Sequence, residues 1–462
     1  MEKIILSLYI FAFFPLAGFI SAQTQKKQIN ILIKMLPENR EWFIKNIFNT
    51  FEAEHNCRIK ITDFKSSSEL DSLLGYGDCS FDLVKTPISD APVLVKKGCI
   101  KALEEITDDK DIAAFKKDYL YFNLGNYNKN HFFIPRKYDT RIMVYRPSKI
   151  RQAFYEWQTW KTEISEMCRN YCGKPLPADY NLETDPNKWD FFDILVLGYV
   201  WKKSPYSGEK HGRIGHRGKE YRGTFIRLID RIYSFGGSRE DIRNPLISTS
   251  LNSLEWEWLY AKSGVYNERM WTEAWTGENL WTEFGKGSIF LTFLTQIDCA
   301  FMMGNPQKCS LENPDDVAFA LMPKSALVCE EFNPLLNRNV STGGWFWGIP
   351  KTASYPKLSL ELAKWITSDE NQKKEFNTFG TVPVKNRVLE TYGDFVLEKW
   401  RNDLIAITLK QLTINKSAVV PLTPEIPMLQ EKWLKIWKTL VTKPGKITDR
   451  ESLKKLVADL SG

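Results

Sequence analysis

The chain has 462 residues, of which 43% are hydrophobic and 26% charged. This composition is too apolar for intrinsic disorder, and the length allows two or three globular domains. The formal net charge is +7, with the basic and acidic residues interspersed along the sequence. A nucleic-acid-binding protein usually concentrates its basic residues in one patch, so the sequence predicts no nucleic-acid partner.

The N-terminus reads as a secretory signal peptide over residues 1–22. Lys3 precedes an apolar run that ends at Ile20, and the small residues Ser21 and Ala22 follow it. A charged start, an apolar run and a small-residue cleavage site are the three parts of such a peptide. An uncleaved membrane anchor is the alternative, but Pro15 inside the run favours cleavage after Ala22. We therefore expect an exported, soluble protein, periplasmic or otherwise extracellular.

The first third of the mature chain alternates short β-branched runs with helical patterns. This alternation predicts an α/β lobe with a parallel sheet. The predicted strands are Ile29–Met35, Arg58–Thr62, Phe81–Val84, His131–Pro135 and Arg141–Tyr145.

Beyond about residue 150 the pattern is mainly helical. Ser207–Gly223 is rich in Gly, Lys, Arg and His, which predicts an exposed loop, and Ile226–Phe235 predicts an amphipathic helix. The later predicted strands are Ser288–Leu294, Val317–Leu321 and Trp345–Ile349.

Several segments, in their order along the chain, carry a resemblance to a known family. They are INILIKMLPENREWFIKNIFNTFEAEHNCRIKI, HFFIPRKYDTRIMVYRPSKI, FGKGSIFLTFLTQID, VSTGGWFWGIPKTASYPKLSLELAKWITSDENQKKEFNTFGTVPV and PEIPMLQEKWLKIW. In this order they resemble the extracellular solute-binding proteins of ABC importers, of the sugar-binding, maltose-binding-protein-like type. The resemblance covers nearly the whole mature chain.

The resemblance implies a two-lobe periplasmic-binding-protein fold of the α/β class. The lobes would be discontinuous in sequence, joined by crossing strands, with a ligand cleft between them. We expect the first lobe to contain residues 28–135 and 347–398. The second lobe would contain residues 136–346 and 399–462. In open α/β sheets, ligands bind beyond the carboxyl ends of the strands, which also favours a cleft site.

The candidate ligand-binding residues are chosen for their positions near the expected cleft. Most lie directly after predicted strands or beside the crossings, where polar side chains can meet hydroxyl groups. They are Glu38, Asn39, Thr86, Ser89, Tyr138, Asp139, Thr295, Gln296, Gly344, Trp345 and Trp433. The alternatives are helix capping for Glu38 and Asn39, a surface turn for Asp139 and core packing for Trp345.

Trp433 is the candidate carried most directly by the resemblance, because PEIPMLQEKWLKIW resembles the segment that supplies a cleft tryptophan. A flat indole offers apolar area to sugar C–H groups. Trp437 lies at i,i+4 and shares its helix face, so we expect one ring to contact ligand and the other to anchor the helix.

Eight cysteines in an exported chain suggest disulfides, with free buried thiols as the alternative. Within the implied first lobe, the topology favours a Cys79–Cys99 bond. Cys168–Cys172 and Cys299–Cys309 are further expected pairs. The Cys and His spacing does not match a zinc site, so no metal or other cofactor is predicted.

The implied function is capture of a small-molecule solute, a sugar or oligosaccharide, and its delivery to an ABC permease in the membrane. We expect a monomer that carries out no chemistry. Two alternatives remain: a ligand-binding signalling receptor with the same fold, and a secreted carbohydrate-active enzyme. The sequence contains no G-x-S-x-G or H-E-x-x-H motif, and acidic pairs occur by chance among 56 acidic residues.

Overall fold

The computed structural model describes residues 26–75, 80–203, 211–327, 337–391, 398–415, 423 and 425–461, without the side chains of residues 171 and 172. The predicted signal peptide lies outside the described residues. In the part of the chain that is described, no helix is both long enough and apolar enough to cross a bilayer.

Eleven strands are present in the described ranges. They are β1 (Lys27–Ile33), β2 (Cys57–Asp63), β3 (Leu83–Pro87), β4 (Asn126–Tyr127), β5 (Asn130–His131), β6 (Phe133–Asp139), β7 (Arg141–Tyr145), β8 (Ile214–Gly215), β9 (Leu291–Thr295), β10 (Ala318–Ala320) and β11 (Gly343–Gly348).

Helices make up most of the remaining described structure. They are α1 (Pro37–Phe43), α2 (Asn49–His55), α3 (Ser67–Gly75), α4 (Ala91–Lys96), α5 (Asp109–Asp118), α6 (Pro147–Cys172), α7 (Phe191–Lys203), α8 (Arg222–Ser234), α9 (Ser248–Ser263), α10 (Arg269–Thr272), α11 (Gly277–Gly285), α12 (Gln296–Gly304), α13 (Pro356–Ile366), α14 (Asp369–Phe379), α15 (Asn386–Glu390), α16 (Lys399–Asn415), α17 (Ile426–Thr442) and α18 (Arg450–Ser461). A π-helical segment, Ile44–Phe48, joins α1 to α2.

The first lobe is built on a five-stranded sheet in the order β2-β1-β3-β11-β6. Strand β1 pairs in parallel with β2 and β3, as the alternating pattern predicts. Strand β11 enters from a distant part of the chain and runs antiparallel to both β3 and β6. Residues 136–139 and 343–346 pair within this sheet, so its strands continue past the predicted lobe limits at 135 and 347.

The second lobe is built on a four-stranded sheet in the order β10-β7-β9-β8. Only Thr140 separates β6 of the first sheet from β7 of the second, so the chain crosses between the lobes there. It returns to the first sheet at β11. Helix α16 then packs against β7 and β10, and α17 against α8 and α9, so the C-terminal helices belong to the second lobe. The two-lobe α/β fold predicted from the sequence is confirmed.

The stretch predicted as an exposed loop, residues 207–223, is instead largely buried in its described part. Arg213, His216 and Arg217 are each less than 9% exposed. Its glycines allow this close packing: a Cβ on Gly212 would lie 2.3 Å from the carbonyl oxygen of Val265, and one on Gly218 would lie 2.0 Å from that of Met270. The glycines that suggest a loop therefore serve close backbone contacts.

The structure contradicts the predicted disulfides, because each predicted pair contains at least one described cysteine that is a free thiol. The five cysteines with described side chains are free thiols: Cys57, Cys99, Cys168, Cys299 and Cys309. Cys99 is held beside the segment after β11, since its carbonyl accepts a hydrogen bond from Lys351; Cys79 lies outside the described residues.

The other two predicted pairings also contain described free thiols. Cys168 is a buried free thiol on α6, and the side chain of its predicted partner Cys172 lies outside the described structure. Cys299 is fully buried on α12, and Cys309 is fully buried in the segment that follows this helix. Their closeness in sequence does not bring the two sulfur atoms together.

Candidate functional site between the lobes

A cavity of about 510 Å³ lies between the two lobes. Its first-lobe wall comes from the start of α3, after β2, and from the turn after β3 that leads into α4. Its second-lobe wall comes from the first residues of α8 and α17. The lining residues are Ser66, Ser67, Ser68, Leu70, Asp71, Ser89, Asp90, Val93, Leu94, Arg222, Ile426, Pro427 and Gln430. The cavity thus lies beyond the carboxyl ends of β2 and β3, where the fold places ligands.

An ion pair joins the lobes at this cavity. Arg222, the first residue of α8, donates from Nη1 to Oδ1 of Asp90 at 2.5 Å and to the Ser67 hydroxyl at 3.1 Å. One further atom of each side chain, Nη2 of Arg222 and Oδ2 of Asp90, is buried and has no hydrogen-bond partner among the described residues. Buried polar atoms without partners usually mark a place for a water or ligand. A hydroxyl group, which both donates and accepts, could satisfy the two atoms together.

The remaining lining combines small polar groups with aliphatic surface. The hydroxyls of Ser66, Ser67 and Ser68 and the amide of Gln430 can each bond to a polar ligand, and aliphatic side chains cover the intervening wall. None of the lining residues in the described ranges is aromatic. This cavity therefore favours recognition by hydrogen bonds over stacking on a ring.

Glu38 forms a second contact between the lobes. Its carboxylate accepts a hydrogen bond from Lys308 at 2.9 Å, and both side chains are more than half exposed. The hydrogen bond from Lys308 lowers the pKa of Glu38 below its ordinary value. Asn39, the next residue, is half-buried on α1. The segment after β1 therefore meets the second lobe, as expected of the end of a first-lobe strand.

Trp345 and Asp139 lie together at the edge of the first sheet. The Trp345 ring covers the ammonium of Lys85, which lies 4.5 Å from the ring centroid, and both side chains are largely enclosed. Burial lowers the pKa of Lys85 well below its usual value, with further lowering by Lys137. Asp139 is partly exposed and lies 3.9 Å from the Lys137 ammonium. This second polar group is separate from the residues that line the cavity.

Gln296 and Thr295 hold the crossing segment in place. The Gln296 side chain, 1% exposed, donates to the carbonyl of Tyr138 at 2.8 Å and accepts from the amide of Thr140 at 3.0 Å. The Thr295 hydroxyl caps α12 by accepting from the amide of Asp298. Both side chains therefore have structural partners around the crossing.

Two further candidates point into the first lobe. Tyr138 is fully buried, and its hydroxyl donates to the carbonyl of Leu120 at 2.6 Å. Thr86 is also fully buried on β3, in register with Phe346 of β11. Side chains alternate between the faces of a strand, so a residue beside the cleft can still face the core.

Gly344 has a backbone conformation that no other residue adopts easily. Its φ is +136°, and a Cβ there would lie 2.1 Å from the carbonyl oxygen of Lys137. The Gly344 carbonyl in turn accepts from the amide of Ile88, in the turn after β3. Gly344 thus brings two backbone segments together beside the crossing.

The structure places Trp433 in the core of the second lobe, away from the cavity wall. Its side chain is 0% exposed, and its indole N–H donates to the carbonyl of Ile242 at 2.8 Å, inside the second lobe. Trp437 is equally buried and donates to Glu257. Both rings of the i,i+4 pair face the core, so neither offers a surface to a ligand. The segment nevertheless reaches the cavity through Ile426, Pro427 and Gln430, in the first turns of the same helix.

Of the predicted residues, the structure brings only Ser89 to the cavity wall. Asp90, Arg222 and Gln430 are lining residues that the sequence reasoning missed. Asp90 immediately follows Ser89 after a predicted strand, so topology alone could have suggested it. Arg222 gives no comparable signal, because its position depends on how α8 packs. Within the described ranges, no group of three or more His, Cys, Asp or Glu side chains is arranged to hold a metal ion.

One family model matches part of the chain. Residues 250–403 match a family model described as bacterial extracellular solute-binding protein. The resemblance to solute-binding proteins is confirmed. An extracellular family agrees with the predicted export. A comparison with curated protein sequences returns no match.

Solved structures of solute-binding proteins match nearly the whole chain. The maltose-bound protein MalE3 of T. maritima is 17% identical, with 94% of this chain and 98% of that chain covered and a TM-score of 0.66. A tagatose-bound ABC transporter solute-binding protein of Thermotoga lettingae is 16% identical, with 94% and 99% covered and a TM-score of 0.67. The substrate-binding protein Lmo0181 of Listeria monocytogenes, in complex with cycloalternan, is 11% identical, with 94% and 98% covered and a TM-score of 0.68. At these identities the likeness establishes the two-lobe fold.

Proposed function

We propose that this solute-binding protein captures a sugar or oligosaccharide in the cavity between its lobes and delivers it to an ABC permease. The observation that carries the proposal is the Arg222–Asp90 pair, which spans the lobes, lines the cavity and has one buried donor and one buried acceptor without a partner among the described residues. Sugars present many hydroxyl groups that can bond to both atoms at once. The three structural relatives described above hold maltose, tagatose and cycloalternan, which supports the same class of ligand.

The carboxylates at the cavity favour binding over catalysis. Both oxygens of Asp71 accept from Lys97, at 2.7 and 2.6 Å, and Asp90 is paired with Arg222. A glycosidase needs one carboxyl group kept protonated as a general acid, and an adjacent cation opposes that state. These two pairs support the proposal that the protein binds its solute without transforming it.

Titration of the mature chain with a panel of mono-, di- and oligosaccharides tests the proposal. At least one sugar should bind. Asp90→Asn should lower the affinity for that sugar about ten- to hundredfold, the range for a lost hydrogen bond to a charged group. Asp179→Asn, at an exposed position of the second lobe, is the matched control and should bind normally. The proposal fails if no sugar binds, or if Asp90→Asn binds with the affinity of the unmodified chain.

Closure of the lobes is a second readout of the same experiment. A ligand that contacts both lobes stabilises the closed arrangement, so small-angle scattering should show a smaller radius of gyration when the sugar is added. Chromatography of the same mixture should recover the sugar unchanged. A hydrolysed product would instead favour the carbohydrate-active enzyme.

A further inference from the structure

A second, much smaller cavity lies inside the second lobe. Its volume is about 20 Å³, which is room for one water or one small ion. The lining residues are Phe191, His216, Arg227, Asp230, Arg231, Ser234, Phe293, Met322, Pro323 and Val340. It shares no residue with the cavity between the lobes.

The inward face of α8 supplies the polar part of this lining. Arg227, Asp230, Arg231 and Ser234 recur at i, i+3, i+4 and i+7, the spacing at which a surface helix normally presents apolar residues to the core. Each of these four side chains is 8% exposed or less. Charged side chains on the buried face of a helix need ion-pair and hydrogen-bond partners within the lobe.

The surrounding cluster contains more cations than anions. We define the arginine cluster as Arg141, Arg217, Arg227 and Arg231. Among the described residues its carboxylate partners are three: Asp230 pairs with Arg141, Asp298 with Arg217, and Glu257 with both Arg227 and Arg231. Four guanidinium groups thus face three carboxylates, with one positive charge in excess.

The polar groups at the cavity offer donors, and their acceptors are already in use. Nε of Arg227 and Nη1 of Arg231 are buried and have no hydrogen-bond partner in the described structure. The Asp230 carboxylate accepts from Ser341 and Arg141, and the Ser234 hydroxyl donates to the Arg231 carbonyl. His216 accepts at Nδ1 from the Arg217 amide, which leaves its ring proton on Nε2 when the ring is neutral.

We propose that this cavity binds a single halide ion, chloride in physiological salt, between Arg227 and Arg231. An acceptor with one negative charge matches both the unpaired N–H groups and the excess positive charge of the arginine cluster. A water molecule would satisfy the donors and leave the charge uncompensated. The site adjoins Val340 and the Asp230–Ser341 contact, so the ion stabilises the second lobe next to its crossing segment.

Crystals of the mature chain grown in sodium bromide provide the direct test. The expected result is an anomalous difference peak within contact distance of Arg227 and Arg231. A water molecule refined at full occupancy without anomalous signal overturns the proposal. This measurement needs no substitution and is independent of the sugar site.

Thermal unfolding gives a second, independent measurement. In sodium chloride the Tm should exceed that in sodium gluconate at equal ionic strength, and the difference should saturate with chloride, because the ion binds only the native state. Arg231→Gln should abolish the difference, whereas Arg151→Gln, on the exposed face of α6, should retain it. Equal Tm values for the unmodified chain in the two salts overturn the proposal even if Arg231→Gln fails to fold.

Discussion

The two lobes bury different chemistry around similar sheets. In the first lobe, β1 contributes Ile29, Ile31, Leu32 and Ile33 to an apolar core, and most of the lobe's ion pairs lie at the surface. In the second lobe, α8 and α9 place arginines and carboxylates at the centre, where Arg227 and Glu257 are each 2% exposed or less. The first lobe thus has a mainly apolar core with one buried pair, Arg136–Glu375, whereas the second lobe adds several buried ion pairs to an apolar core of its own.

Removal of one carboxylate from the second lobe should give the largest effect. Glu257 pairs with Arg227 and Arg231 and accepts hydrogen bonds from Tyr266 and Trp437. Glu257→Gln should lower the free energy of unfolding by about 3–5 kcal/mol, because buried guanidinium groups lose their counter-charge. Urea denaturation measures this change.

The first-lobe control is Glu361→Gln, which breaks the partly exposed pair with Lys364. It should change stability by less than about 1 kcal/mol. Similar losses for the two variants would contradict the contrast between the lobes.

Trp433 and Gln430 on α17 separate stability from binding within the second lobe. Trp433→Ala should cost about 3–5 kcal/mol of unfolding free energy, since it empties a fully buried site, and the folded fraction should still bind sugar. Gln430→Ala, at the cavity wall, should leave the free energy of unfolding nearly unchanged and lower the affinity for the sugar. Calorimetric titration beside thermal unfolding distinguishes the two, and weakened binding by folded Trp433→Ala would restore the role predicted from the sequence.

The smallest effect should come from the exposed contact between the lobes. Because Lys308 lowers the pKa of Glu38, this pair favours lobe contact above the ordinary carboxyl pKa and loses its contribution as the pH falls through the lowered value. In Lys308→Met, which lacks the pair, the radius of gyration of the sugar-bound form should have a weaker acid-side pH dependence. Identical pH profiles would mean that the pair does not contribute to closure.

Local sequence patterns predicted the parallel strands of the first lobe. Strands predicted at Ile29–Met35 and Arg58–Thr62 lie at Lys27–Ile33 and Cys57–Asp63, since alternating strand and helix signals specify a parallel unit. The crossing near Pro135 and the later strand around Trp347 were also predicted, although the antiparallel entry of β11 depends on a pairing between distant segments.

Contacts between distant elements explain the errors. Trp433 and Trp437 share a helix face, but the sequence does not reveal that α8 and α9 cover that face completely. The disulfides failed because cysteine spacing carries no information on where two sulfur atoms lie in space. The cavity pair of Arg222 and Asp90 was missed for the same reason, as its members are far apart in sequence and lie on different lobes.

The five described thiols should compete poorly with an introduced, exposed cysteine for a labelling reagent. Burial raises the pKa of all five described thiols, to about 12 for Cys168 and about 11 for Cys309, so few thiolates exist at neutral pH. A cysteine introduced at Tyr155, which is 87% exposed on α6, should react with maleimide dyes far faster than these five. A fluorophore at that position, paired with one on the first lobe, would report the distance between the lobes as the solute binds.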